Sequence, residues 1–183
     1  MKKFLFVFLL LLAPYSKSFA QNDPPIPYEN GSWFVAIEGG YWVILGSGRE
    51  LVKDAPLVYL TLGFNLLNEF KSEKKDDSLT FGPKIGFGVG EPRATRDVGL
   101  FYDLLLKIRY TLGDRESLLR PYIDAGPGLI TYNQKAFELE GGAGLDFNFG
   151  GSTVGFNAQY KEVIGAGELN RGVALLATLG YRF

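Results

Sequence analysis

The sequence predicts an all-β protein, an eight-stranded antiparallel up-and-down β-barrel that crosses a membrane. Three observations carry that expectation. Stretches of about ten residues alternate apolar with small or polar side chains, the period of a strand rather than of a helix. Beyond the N-terminal segment no apolar run is long enough to span a bilayer as a helix, so only a closed barrel could satisfy the backbone there. The charges fall on one strand face and leave the other apolar. A soluble ligand-binding barrel would carry its charges outside instead.

The first residues read as a targeting signal. Lys2 and Lys3 form a basic start, Phe4 to Ala13 are apolar without a break, and Ser18-Phe19-Ala20 offers a small-x-small cleavage site. That apolar run is half the roughly 20 residues a membrane-spanning helix needs. Residues 1–20 are therefore assigned to a cleaved signal peptide and export. Residues 21–31, with Pro24, Pro25 and Pro27, form an extended leader, and residues 32–183 form the barrel. Of 19 Lys and Arg, three leave with the signal (Lys2, Lys3 and Lys17), so the mature chain carries 16 positive against 20 negative charges. Mild acidity gives no support to a nucleic-acid partner. With no Cys, disulfides contribute nothing to stability.

The strands follow in simple succession. The first runs from about Ser32 to Val43, with Trp33, Val35, Ile37, Tyr41 and Val43 on one side, and the second from Leu57 to Leu66. A hydrophilic connection, Asn68 to Ser78, precedes the third, Leu79 to Val89; Asp76 and Asp77 within it lack calcium-ligand spacing. The fourth spans Val98 to Leu112, the fifth Pro121 to Thr131, and the sixth Ala136 to Phe149. Gly150-Gly151-Ser152 is a tight hairpin signal leading to the seventh, Thr153 to Val163. The eighth, Gly172 to Phe183, alternates throughout. Pro83 and Pro127 each remove a ladder hydrogen bond, so bulges or shortened strands are expected at both.

On the polar faces lie Lys84, Lys107, Arg109, Lys161 and Arg182 against Glu38, Asp103, Asp124, Glu138, Glu140 and Asp146. Five cations to six anions is the near-balance expected of buried charges that pair. Glu138→Ala is expected to leave a cation unpaired. Aromatics near the ends of the apolar faces would form two girdles. Trp33, Phe81, Tyr110, Phe149, Phe156, Tyr181 and Phe183 fall at one rim, and Tyr41, Tyr102, Phe137 and Tyr160 at the other.

The last strand, with Gly180, Tyr181 and a terminal Phe183, resembles the C-terminal signal of bacterial outer-membrane β-barrels. From Trp33 onward the pattern resembles small eight-stranded barrels of the OmpA/OmpX type, within the porin-like superfamily of the Gram-negative envelope. The resemblance implies outer-membrane lipid as surroundings and recognition of Phe183 by the barrel-assembly machinery. It leaves room for an unidentified protein partner at the loops. Lipid-acting barrels of the palmitoyltransferase and deacylase kinds are similar in size, but their chemistry needs a His, and this chain has none.

Other chemistry is sparse. Without His and Cys the usual general base, metal ligands and thiol nucleophile are missing, and no cofactor or metal is expected. Gly86-x-Gly88-x-Gly90 and Gly141-Gly142-x-Gly144 open no helix and read as small residues making room inside a narrow barrel. Glu138, Glu140 and Asp124 could form a carboxylate pair for acid–base work. An eight-stranded interior is only wide enough for side chains, which favours ion pairs. The expectation is a non-enzymatic envelope barrel with a structural or loop-mediated role. A lipid-acting enzyme without His and a narrow channel are the alternatives.

Overall fold

The computed structural model describes residues 33–46, 54–66, 78–90, 99–113, 117–132, 134–165 and 171–182. The proposed signal, the leader and Phe183 lie outside them. Eight strands follow one another around a closed antiparallel barrel: β1 Trp33–Leu45, β2 Ala55–Asn65, β3 Ser78–Gly90, β4 Gly99–Thr111, β5 Leu119–Tyr132, β6 Gln134–Phe149, β7 Ser152–Ile164 and β8 Arg171–Arg182. β1 and β8 close the ring without a gap, from Phe34 opposite Arg182 to Leu45 opposite Arg171. Closure leaves no edge strand.

β1 starts and β8 ends at the same rim, the terminal end; the other rim is the distal end. The β5–β6 connection at the distal end is a single residue, with Tyr132 already paired to Gln134. The longest connection, 66–77, lies at the terminal end. At the β6–β7 hairpin Gly150 and Gly151 both take positive φ, 62° and 91°, as a type I′ turn requires.

Neither proline shortens its strand or introduces a bulge. The β2–β3 ladder skips Leu62–Pro83 and Gly63–Gly82, and the β4–β5 ladder skips Leu106–Pro127 and Lys107–Gly126, yet the register is the same on both sides of each gap. On its other side each proline pairs normally, Pro83 with Leu106 and Pro127 with Leu139. The preceding glycines explain the tolerance. A Cβ at Gly82 would lie 2.0 Å from the Leu62 carbonyl oxygen, and one at Gly126 1.9 Å from that of Leu106. Only a glycine lets the neighbouring strand pass that close.

Candidate functional site: the charged lumen

Alternate residues of every strand point inward, so the period-two pattern becomes a lumen and an exterior. Leu105 is fully buried whereas Leu106, its neighbour, is 49% exposed. The middle of the lumen is a web of ion pairs. Lys161 Nζ meets Glu138 and Glu140, each at 3.0 Å, and also Asp103. Lys84 Nζ bridges Glu140 at 2.8 Å and Glu38 at 3.0 Å. Lys107 Nζ donates to Asp124 at 2.8 Å, Glu140 at 3.0 Å and Gln159 at 3.2 Å. Arg109 donates to Glu38 at 3.2 Å and lies 3.6 Å from Asp124 and 3.8 Å from Asp146. Glu140 thus contacts three ammonium groups, and Lys161 three carboxylates.

Neutral groups complete the web. Tyr59 donates its hydroxyl to Asp103 at 2.7 Å, and Gln159 donates to Asp124 at 3.1 Å. Lys84 stands 4.1 Å above the Tyr59 ring, and Arg109 stacks 4.0 Å from that of Tyr122. Each ion leaving water costs several kcal/mol, and several partners per ion are what offset that cost. Arg182, half-buried at the terminal end, lies over the Phe34 ring.

Two parts of the lumen escaped the sequence reading. Arg120 is fully buried opposite Asp146, and its Nη2 donates to the Gly113 carbonyl at 3.2 Å. Extending the alternation of β5 upstream past Pro121 would have found it. Counting it, six cations face six carboxylates in the lumen among the described residues. The other part is an apolar storey at the distal end, built on Trp42, Leu57, Phe101, Leu105, Ile130 and Tyr132. Its signal lay in the inward glycines. A Cβ at Gly88 would sit 2.1 Å from the Phe101 ring, and one at Gly172 2.1 Å from Trp42 Nε1. Gly86 and Gly144 seat Tyr59 and Tyr122 in the same way, so the glycine motifs make room for rings.

The exterior is apolar. Every outward residue of β4, from Leu100 to Tyr110, is a hydrophobe, and charges on the outward strand faces are confined to Lys135, Glu162 and Arg171 at the distal rim. Trp33, Phe81, Phe149, Phe156 and Tyr181 face out toward the terminal end; Tyr41, Tyr102, Phe137 and Tyr160 toward the distal end. Paired charges inside, hydrophobes outside and an aromatic girdle at each rim match a bilayer and would fail in water. Among the described residues no group of His, Cys, Asp and Glu could hold a metal ion.

No family model and no curated protein matches the sequence. Solved structures do share its architecture. Neisserial surface protein A superposes with a TM-score of 0.59 at 13% identity, over 84% of this chain and 100% of that one. The outer membrane enzyme PagL does so with 0.53 at 16%, over 81% and 98%. The fold is that of the small outer-membrane barrels. At these identities the likeness carries the architecture and no chemistry.

Proposed function

We propose that this protein is a non-enzymatic barrel of the bacterial outer membrane, serving the envelope structurally or presenting its distal connections to a partner. The observation that supports this reading most is the packed lumen. Its middle is filled by ion pairs, and its distal end is filled by Trp42, Phe101 and Tyr132. A lumen filled in this way favours neither a substrate held inside the barrel nor a stream of ions through it. Export by residues 1–20 and assembly through Phe183 belong to the same proposal, on the sequence evidence.

A channel would behave differently in planar bilayers. The refolded barrel is expected to insert without raising the membrane current above its protein-free level. Discrete conductance steps from the wild-type chain would overturn the reading. PagL is an enzyme, but this chain has no His, the residue that a resemblance to lipid-acting barrels would require.

A further inference from the structure

Beside Lys84 and Arg109 lies a small recess of about 20 Å³, with Glu38, Thr61, Thr80, Lys84, Lys107, Arg109 and Asp124 on its polar walls. Two atoms of these residues have no hydrogen-bond partner, Glu38 Oε2 and Arg109 Nη1, the latter 3.8 Å from Asp146 Oδ2 as an ion pair outside the recess. Both side chains are more than nine-tenths buried. Glu38 Oε2 has Lys84 Nζ beside it at 3.0 Å as an ion pair, but no donor meets it in hydrogen-bonding geometry. Leaving such an acceptor unmet costs about 1–3 kcal/mol. The recess exceeds the roughly 10–15 Å³ that one water requires.

We propose that a single resident water occupies this recess, accepting from Arg109 Nη1 and donating to Glu38 Oε2. Charge decides against an ion. Lys84, Lys107 and Arg109 are matched by Glu38, Asp124 and Glu140, the last bonded to both lysines. Adding either sign would leave a net charge out of water with nothing to offset it. An apolar occupant would leave both atoms unmet. The water gives β1 and β4 a second link beside the direct Arg109 Nη2–Glu38 bond at 3.2 Å. Its hydrogen bonds with Glu38 and Arg109 also turn a packing defect into a fixed part of the network.

The test is a crystal structure of the refolded mature chain at a resolution that shows ordered solvent, with parallel crystals soaked in bromide and pressurised with xenon. One fully occupied water peak within hydrogen-bonding distance of Glu38 Oε2 is expected, with bromide and xenon signals at background in the recess. An empty recess, an anomalous peak for bromide or xenon there, or an Arg109 side chain refolded into the space would each overturn the proposal.

Discussion

The two storeys of the lumen solve the same packing problem with opposite chemistry. At the distal end, rings and aliphatic chains fill the space, and the fit depends on shape; Phe101 has its place because Gly88 has no side chain. In the middle, the fit depends on valence, with Glu140 and Lys161 each serving three partners. An apolar storey tolerates loss of a partner gradually, through a cavity. A charged storey does not, because the group left behind has no water to return to.

The comparison can be broken by substitution, and the largest effect should come from the hub. Lys161→Met strips the cation from Asp103, Glu138 and Glu140 while keeping much of the volume. A loss of about 3–5 kcal/mol is expected in urea unfolding from lipid vesicles. A loss below that of ordinary core truncations would mean the web is not the stabilising element.

Next in size is a charge placed on the wrong side of the wall. Leu106→Arg faces lipid and should cost roughly 2–4 kcal/mol near the midplane. Harmless insertion of that arginine in the same vesicle titration would mean the exterior does not meet hydrocarbon. The distal storey should answer to size alone. Gly88→Ala forces a Cβ against the Phe101 ring, with an expected loss of about 1–3 kcal/mol. Adding Phe101→Leu in the same chain should restore part of it, and no restoration would remove the ring from the account.

The last substitution revises a sequence expectation. Glu138→Ala does not orphan its partner, because Lys161 keeps Asp103 and Glu140. The change should cost about 1.5–3 kcal/mol, the scale of one hydrogen bond to a charged group and less than Lys161→Met. A loss as large as that of Lys161→Met would show that the three carboxylates are not interchangeable.

What the sequence made legible was local. Alternation placed all eight strands within a few residues of their true ends, since a strand's period is visible in its own side chains. The charged inward residues were legible for the same reason. Partners were not, because Lys161 on β7 meets Asp103 on β4 across a register that depends on all three intervening strand pairings. The apolar storey was hidden by the rule that revealed the exterior. Trp42 and Phe101 are hydrophobes on the polar face, and only their glycine neighbours on adjacent strands gave them away. The prolines misled because a bulge is one remedy for a missing donor, and Gly82 and Gly126 supply another by letting the strands run close.

The unbroken seam between β1 and β8 also sets an order of events in time. Phe34 has to wait for Arg182, nearly the whole barrel later in the chain, and such distant pairings are slow to form. Until they form, the sheet is an open ribbon whose one face carries the lumen's cations and carboxylates. Such a ribbon cannot lie in hydrocarbon with that face bare, since a charge exposed there costs at least about 2.5–3.5 kcal/mol on the mildest scale. Entry into the bilayer and closure of the seam are therefore bound to the same moment, and a chain stalled before its last strand has nowhere in the membrane to wait.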